Sequence, residues 1–530
     1  MGVMRRLGGP LLLGAVIVVG SSGGDVAAGQ GGDGGRPNVI VVMTDDQTQA
    51  SLAKMPRVNS ELVAQGATFA NSFTNWPLCC PSRATFYSGQ YAHNHRVLGN
   101  APPDGGFVRF NDSNALPVWL QSAGYRTIHV GKFLNYYGQP PYFEPSEVPP
   151  GWSNWQTLIG EDSTHFFYGY RLNVNGTIEG PFGDIAYERR DPAGCPTAPP
   201  PDEVCTHQTD VLTQRAVDQV LGSGGEQPFF LSLDYVAPHG DYRAPWGAEP
   251  APRHYDSLIT LPLPRPPGFN ERDVSDKPRF LRRAGRLGAT AIANAQQEWQ
   301  KGLESLRAVD DGVGRVLEAL AATGELGSTY VFFTTDNGFF AGEHRIQRSK
   351  FLPYEPSAHV PLLLRGPGIA PGGRSGELVA NLDLAPTILQ IAGAAPGNAI
   401  DGRSLLRFSH EPGRRTSRPL LLEGFTRAVD VATARAGAET SIRDAPVRDY
   451  QGIRVGRYKY VRYAGGGREL YDLRLDPHEL HSRVADPRYR EARAFLGRRL
   501  NWLRRCAGYP CRRPLVARIP GPGLRSRPGG

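Results

Sequence analysis

The sequence predicts an α/β fold in which helices flank a large, mostly parallel sheet, followed by a smaller C-terminal antiparallel sheet plus helix. Two patterns lead to this prediction. Up to about residue 412, continuous apolar runs typical of strands buried on both faces alternate with helical patterns. Beyond it, short runs alternate apolar with polar residues between Gly or Asp turns, as antiparallel strands do.

Polar residues follow two predicted strands of the first region. The apolar run Val39–Met43 leads to Asp45 and Asp46, and the run TYVFFTT leads to Asp336 and Asn337. Ligands of open α/β sheets bind just beyond the carboxyl ends of the strands, so these residues are candidates for a site. Further strands are predicted within residues 125–133, 228–239 and 360–368.

A long amphipathic pattern covers residues 303–324. Leu303, Leu306, Val309 and Val313 recur at helical spacing, and Gly324 suits the position after a helix end. A second helix is predicted within residues 381–393. In the C-terminal region, strands are predicted within 418–425, 450–463 and 468–473, and a closing helix within 486–505.

The length of 530 residues favours one large and one smaller domain. We predict a signal peptide over residues 1–28, a Gly-rich spacer over 29–36 and a large α/β domain over 37–412. A smaller α+β domain over 413–505 and a Pro/Arg-rich tail over 506–530 complete the predicted organisation.

The N-terminal residues have the three parts of an export signal. Arg5 and Arg6 precede an apolar run from Leu11 to Val19, and the small residues around Ala28 offer a cleavage site. The run is too short for a membrane-spanning helix, and no other run approaches that length. We therefore expect a protein secreted to the periplasm or the extracellular space, without stable membrane insertion.

The charge of the chain favours anionic small molecules over nucleic acid. The formal net charge is +8, but the arginines are scattered and form no basic stripe interleaved with aromatic residues. We therefore expect no nucleic-acid partner, and interpret the charge as a general attraction for anionic substrates.

Six cysteines divide into three neighbouring couples. Cys195 and Cys205 bracket a Pro-rich loop, and Cys506 and Cys511 bracket a short turn, so both couples are disulfide candidates in an oxidising compartment. Four cysteines permit three connectivities, and pairing within each couple is an inference. The adjacent pair left over, in the segment CCPSRATFYSG, is poorly placed for a mutual disulfide.

This segment resembles the sulfatase signature Cys-x-Pro-Ser-Arg, in which the first cysteine is oxidised to formylglycine (3-oxoalanine). Cys79 is that cysteine, Cys80 occupies the free position, and Arg83 is the motif arginine. The blocks PNVIVVMTDDQ, TTDNG, RGPG and RVGRYKYVRY…ELYDLRLDP also resemble sulfatase blocks, in the expected order. The chain thus resembles the formylglycine-dependent sulfatases of the alkaline-phosphatase-like superfamily, closest in motif to the N-acetylglucosamine-6-sulfatase and arylsulfatase types.

The resemblance implies a catalytic domain over residues 37–412 and explains the adjacent cysteines. A thiol that attacked a sulfate ester would form a stable adduct, whereas an aldehyde hydrate carries two hydroxyls on one carbon. One hydroxyl attacks sulfur, forming a covalent sulfo-enzyme intermediate, and deprotonation of the other expels sulfate. The conversion requires a formylglycine-generating enzyme as a partner during maturation. Without the other blocks, Cys79 would be an ordinary buried or disulfide-bonded thiol.

Four side chains are the expected ligands of one divalent metal: Asp45, Asp46, Asp336 and Asn337. They offer only hard oxygen atoms, which suit calcium or magnesium better than zinc, and the resemblance favours calcium. The metal would hold a sulfate oxygen and lower the pKa of the hydrate. The alternative is that both pairs are ordinary turns, but two pairs at matching strand ends argue against it.

Catalytic and substrate-binding roles follow from the resemblance. Arg83 steadies the hydrate, Lys132 and Lys350 bind sulfate, and His239 stands near the leaving oxygen as a general acid. In one respect the chain departs from many sulfatases, because Leu134 stands where they carry a histidine two residues after the lysine. The side chains considered as replacements in the proton relay are Asn135, His93 and His95.

The sequence therefore predicts a secreted sulfuric ester hydrolase acting on carbohydrate sulfates such as N-acetylglucosamine 6-sulfate, or on aryl sulfates. The alternatives are a phosphate or phosphonate monoester hydrolase on the same scaffold and a non-catalytic binder that kept the shape. A binder has no need of the modification motif, which argues against the last.

Overall fold

The computed structural model describes residues 35–183, 206–225, 227–244, 247–425 and 449–523. The predicted signal peptide, most of the predicted spacer, and Cys195 and Cys205 lie outside the described residues. None of the described helices is both long and apolar enough to cross a bilayer.

The strands are β1 Asn38–Thr44, β2 Ala67–Phe73, β3 Arg126–Gly131, β4 Asn154–Leu158, β5 Tyr170–Val174, β6 Thr177–Phe182, β7 Phe229–Asp234, β8 Thr329–Thr335, β9 Phe340–Ala341, β10 Gln347–Ser349, β11 Leu362–Arg365, β12 Gly373–Ala380, β13 Leu420–Gly424, β14 Tyr450–Val455, β15 Tyr458–Tyr463 and β16 Arg468–Asp472. The α-helices are α1 Pro56–Val58, α2 Cys79–Ser88, α3 Ala92–His95, α4 Leu116–Ser122, α5 Gly160–Ser163, α6 Gln208–Leu221, α7 Arg279–Arg282, α8 Ala289–Ala322, α9 Glu355–Ala358, α10 Leu384–Ala392, α11 Leu406–His410 and α12 Arg490–Leu503.

Ten strands form one mixed sheet in the order β12-β2-β11-β8-β1-β7-β3-β4-β5-β6. The centre, from β8 through β1, β7 and β3 to β4, is parallel. Strand β11 runs antiparallel to both of its neighbours, and so does β5 on the other flank. The predicted α/β class is confirmed, with antiparallel strands added on both sides of the parallel centre.

Helices cover both faces of this sheet, and the central strands supply side chains to both cores. In β1, Val39 and Val41 belong to the core beneath α4 and α10, whereas Ile40 and Val42 belong to the core beneath α6 and α8. Burial on both faces explains why the strand reads as a continuous apolar run. Helix α8 starts 14 residues before the predicted pattern, at Ala289.

The C-terminal strands form a separate antiparallel sheet in the order β13-β14-β15-β16, and α12 packs beside it. This sheet shares a hydrophobic core with Phe73, Trp76 and Leu78, the residues that lead into α2. The predicted small sheet with a closing helix is confirmed. A disulfide joins Cys506 to Cys511 after α12, and the domain boundary at residue 413 remains a prediction.

Candidate active site

The parallel centre of the sheet brings the two acidic pairs together. Thr44 and Thr335 end neighbouring parallel strands in register, so the residues that follow them emerge at the same edge. Asp46 has a φ of 65°, in the left-handed region that Asp tolerates. Its backbone N–H donates to Asp336 Oδ1 at 3.4 Å, and Asn337 Nδ2 donates to Asp46 Oδ1.

Cys79 is the first residue of α2 and is 1% exposed. Its Sγ lies 3.6 Å from Asp45 Oδ1. Asp45, Cys79 and Asp336 offer atoms that all lie within 4.8 Å of one another. The N-terminal end of a ten-residue helix adds partial positive charge at this position.

Arg83 lies one helical turn after Cys79 and is fully buried among carboxylates. Its Nε donates to Asp336 Oδ2 at 2.9 Å, and its Nη1 donates to Asp234 Oδ1 at 3.1 Å. Its Nη2 lies 3.8 Å from Asp45 Oδ2. The guanidinium therefore fixes the relative positions of three strand ends.

Lys132 follows β3 directly, and its ammonium group forms an ion pair with Asp45 Oδ2. The preceding Gly131 has a φ of 113°, and a Cβ there would lie 2.0 Å from the carbonyl oxygen of Asp234. Only glycine fits this approach. The Lys132 N–H donates to the same carbonyl at 2.8 Å, which aims the side chain at the site.

Lys350 directly follows the hairpin strand β10. Its Nζ lies 2.6 Å from Asp46 Oδ1 and 3.1 Å from Cys79 Sγ. The side chain is fully buried, so both contacts form out of water.

His239 lies beside Asp46, with 3.7 Å between Nε2 and Oδ2. Its Nδ1–H donates to the carbonyl oxygen of Gly240 at 2.9 Å, so Nε2 is the nitrogen that faces the site. Burial lowers the pKa of His239, although the charges of Asp45 and Asp46 oppose that shift. The structure thus brings all nine predicted catalytic and metal-binding side chains together.

Burial and neighbouring charges shift the pKa values of the buried groups in the site. Burial alone would raise the pKa of Asp45, but Lys132 and the neighbouring cations hold it well below its usual range. Burial and the charge of Asp45 raise the pKa of Asp336 to about 7. Burial also raises the pKa of the Cys79 thiol well above its ordinary value, so the sulfur is a poor nucleophile as it stands.

The donor set fits a hard divalent cation. Among the described residues, the site joins four carboxylates to three fixed cations: Asp45, Asp46, Asp234 and Asp336 with Arg83, Lys132 and Lys350. With all seven charged, the net charge is −1, and a divalent cation would change it to +1. The buried Oδ1 of Asn337 has no hydrogen-bond partner, as expected for a ligand atom. Oxygen donors favour calcium or magnesium.

One member of the site was missed by sequence reasoning. Asp234 is the last residue of β7, just as Asp45 directly follows β1. The strand-end argument that identified Asp45 would therefore also have identified Asp234. Burial raises its pKa to about 6. Ser232 and Arg83 both donate to its carboxylate.

Leu134, which replaces the family histidine, and its three candidate substitutes lie in different surroundings. Leu134 is buried in the hydrophobic core and offers no polar group. Asn135 contacts Cys80, whose Sγ accepts from its backbone N–H at 3.0 Å. The ring of His93 pairs with Glu423, and that of His95 contacts Thr85. Asn135 thus contacts Cys80, the residue next to Cys79.

A cavity opens beside Asp46 and His239. One wall is the apolar side of α8, and the polar lining includes Thr48, Glu298 and Arg348. Arg348 Nε lies 2.9 Å from Glu298 Oε1. The indole Nε1 of Trp299 and the hydroxyl of Thr48 are buried without a hydrogen-bond partner. The cavity therefore offers an apolar surface and free polar atoms to a small molecule.

Comparisons with known proteins find relatives among the sulfatases. The sulfatase family model matches residues 37–394. The N-acetylglucosamine-6-sulfatase of Homo sapiens is 31% identical over 521 residues, covering 93% of this chain and 88% of the relative. An extracellular sulfatase homologue of Caenorhabditis elegans is 33% identical over 418 residues, which are 78% of this chain but 54% of that protein's length.

Solved structures share the fold. A protein in complex with its substrate D-glucosamine-2-N,6-O-disulfate has a TM-score of 0.68 at 23% identity, covering 88% of this chain and 97% of that chain. The phosphonate monoester hydrolase of Agrobacterium radiobacter has a TM-score of 0.64 at 24% identity, covering 88% and 95%. Because the family match spans more than half of the residues, the chain belongs to the sulfatase family, the hydrolases of sulfate esters.

Proposed function

We propose that this protein is an exported sulfatase that hydrolyses carbohydrate sulfates such as N-acetylglucosamine 6-sulfate, or aryl sulfates, with formylglycine formed from Cys79 and one bound calcium ion. The observation that carries the proposal is the position of Cys79 Sγ, 3.1 Å from Lys350 Nζ and 3.6 Å from Asp45 Oδ1. An oxygen nucleophile in place of that sulfur would lie between a cation and the proposed metal ligands.

The proposed cofactors would supply what the side chains lack. Formylglycine would provide the oxygen nucleophile, and calcium held by Asp45, Asp46, Asp336 and Asn337 would act as a Lewis acid. The chain's own cations bind the sulfate group: Lys132 and Lys350 are buried donors aimed at its oxygens. A sulfate monoester carries one negative charge, so the change in site charge from −1 to +1 favours its binding.

His239 is proposed to serve the leaving group. Its Nδ1–H is held by Gly240, so Nε2 exchanges the proton. Burial lowers the pKa of His239, and the carboxylates of Asp45 and Asp46 oppose that shift. A proton on Nε2 would pass to the departing alcohol oxygen. Arg83 keeps Asp45, Asp234 and Asp336 in place during the reaction and stays charged throughout.

The substrate class rests on the cavity and on the relatives. A sugar ring presents an apolar face and several hydroxyls, which match the α8 wall with Trp299 and the pair Glu298–Arg348. The curated relatives include N-acetylglucosamine-6-sulfatases, and the C. elegans homologue is named as extracellular. We therefore also propose export through the N-terminal signal, maturation by a formylglycine-generating enzyme, and a catalytic domain over residues 37–412.

The peptide that contains Cys79 tests the proposal directly. In protein produced together with a formylglycine-generating enzyme, mass spectrometry is expected to find formylglycine at position 79 and a thiol at Cys80. Cys79→Ala is expected to abolish hydrolysis of 4-nitrophenyl sulfate, whereas the matched Cys80→Ala keeps most of it. An unmodified thiol at position 79 in active protein, or the reverse behaviour of the two variants, overturns the proposal.

A phosphate or phosphonate monoester hydrolase is the second candidate, since the fold is shared with the A. radiobacter enzyme. A phosphate monoester carries up to two negative charges, so it would gain more than a sulfate ester from the same cations. Rates on paired 4-nitrophenyl sulfate and 4-nitrophenyl phosphate separate the two. A higher kcat/KM for the phosphate would favour the second candidate.

A further inference from the structure

A second concave surface lies apart from the residues that form the active site. Two segments line it, residues 275–283 around α7 and the turn 463–468 between β15 and β16. We call this surface the arginine groove. Its volume is about 560 Å³, and its lining includes four arginines, Arg279, Arg282, Arg283 and Arg468, together with the pair Asp276–Lys277.

These arginines carry positive charge that the described part of the protein leaves unpaired. All four arginines are exposed, and within the described residues none of them has an ion-pair partner. The one acid in the lining, Asp276, pairs with Lys277, and the adjacent Glu469 accepts hydrogen bonds from tyrosines. Four guanidinium groups of one sign thus face a single groove.

We propose that the arginine groove binds a sulfated glycan chain whose terminal sulfate ester occupies the active site, an inference that rests on the proposed function. Guanidinium groups form paired N–H···O bonds to oxyanions, and sulfate groups repeat along such a chain. The turn Ala464–Gly467 has no bulky side chain and lets a chain approach the backbone. The groove is a binding surface only and takes no part in the chemistry.

The groove lies within reach of the active-site cavity. Arg283 precedes the start of α8 by six residues, which span at most about 21 Å of extended chain. Ala295, six residues into α8, lines the cavity and lies about 9 Å along the helix axis from Ala289. The separation is therefore below about 30 Å, which an oligosaccharide of several sugars covers.

The lining favours a glycan over single-stranded nucleic acid. Nucleic-acid grooves combine basic residues with exposed aromatic side chains on which bases stack. The aromatic residues of this groove are Phe280 and Tyr463, which are buried in the C-terminal core and contact each other edge to face. The groove therefore exposes arginine side chains but no aromatic ring on which a base could stack.

Substitution of the four arginines by glutamine tests the proposal. Heparin serves as the sulfated glycan, with binding measured in a Cys79→Ala background so that no turnover occurs. The groove variant is expected to bind heparin at least about tenfold more weakly, from four lost ion pairs. The matched control replaces four exposed arginines elsewhere, Arg109, Arg374, Arg498 and Arg505, and removes the same charge.

Catalysis supplies the second readout. In protein that retains Cys79, the groove variant is expected to keep the kcat/KM for 4-nitrophenyl sulfate and to raise the KM for a sulfated oligosaccharide. Equal loss of heparin binding in both quadruple variants overturns the proposal, because net charge alone would explain it. Equal competition by single-stranded DNA overturns the choice of a glycan. If heparin binding depends on the groove but the protein hydrolyses no carbohydrate sulfate, the proposed function is overturned and the groove proposal is not.

Discussion

Tyr354, four residues after Lys350, donates a hydrogen bond of 2.8 Å from its hydroxyl to Glu469 of the C-terminal sheet. Both residues are almost fully buried. Lys459 of the same sheet donates to the carbonyl oxygen of Pro353 at 2.8 Å. The small sheet thus holds the segment that carries Lys350.

Tyr354→Phe is therefore expected to impair turnover without touching the reaction centre. Loss of one buried hydrogen bond to a carboxylate lowers the free energy of unfolding by about 1–2 kcal/mol. The loosened segment displaces the Lys350 ammonium group and lowers kcat about tenfold. Urea unfolding and the steady-state kinetics of 4-nitrophenyl sulfate hydrolysis measure the two effects.

Tyr471→Phe is the matched control, because Tyr471 also donates to Glu469 but does not belong to the Lys350 segment. It should lose similar stability and keep kcat. Equal losses of kcat in both variants would show that stability, not the position of Lys350, governs the effect.

Removal of calcium is expected to lower the melting temperature and the activity together, since the cation binds only the folded site. Asn337→Ala removes one of the proposed oxygen ligands and should raise the calcium concentration needed for half of the thermal stabilisation by about tenfold. Thermal unfolding across a calcium titration after EDTA treatment measures this shift.

Asn75→Ala is the control for that titration. Asn75 also has a buried Oδ1 without a partner, but its amide group donates to Leu421 at the C-terminal sheet. It should leave the calcium dependence unchanged. Indifference of the wild type to EDTA would remove the metal assignment.

Glu298 is expected to contribute to sugar recognition in the cavity. Burial raises its pKa to about 7, against the opposing charge of Arg348. Glu298→Gln removes a charged acceptor for sugar hydroxyls and should lower kcat/KM for glucosamine 6-sulfate about tenfold. The rate on 4-nitrophenyl sulfate, which has no sugar hydroxyls, should change little.

Glu318→Gln on the same helix is the matched control, since Glu318 pairs with Arg57 at an exposed position. Equal losses on the two substrates with Glu298→Gln, or a comparable loss with Glu318→Gln, would contradict the assignment.

The acidic half of the site was predictable because strand ends obey a simple rule. Buried parallel strands read as apolar runs, and their carboxyl ends share one edge, so Asp45 and Asp336 were found together. No comparable strand-end rule predicts the position of Lys350. This lysine follows the short hairpin strand β10, and its approach depends on the C-terminal sheet, whose contacts link residues more than a hundred positions apart.

Helix α2 was not predicted, for a different physical reason. All ten of its residues are buried, so no polar face alternates with an apolar one and the 3.6-residue period is absent. The strands β2 and β12, which extend the sheet on one side, were also missed. Their runs mix small and polar residues, since β2 reads ATFANSF.

His93, one of the replacements considered for the proton relay, is held by two hydrogen-bond acceptors. Its Nδ1 bonds to the Glu423 carboxylate and its Nε2 to the carbonyl oxygen of Cys506, each at 3.0 Å. Because both partners are acceptors, both nitrogens donate and the ring is an imidazolium. Burial alone would lower the pKa of His93, but Glu423 and the Cys506 carbonyl raise it from 6.5 to about 9.

The stability that His93 provides should therefore depend on pH. A folded pKa above the unfolded value gives a contribution that is complete below pH 6.5 and disappears as the pH rises through about 9. His93→Gln is expected to lower the free energy of unfolding by about 2–3 kcal/mol more at about pH 6 than at about pH 10. Asn94→Ala removes a non-titrating donor to the same Cys506 carbonyl, so its effect should stay constant. Urea unfolding of both variants at the two pH values measures the difference, and an equally constant effect for His93→Gln would rule out the imidazolium.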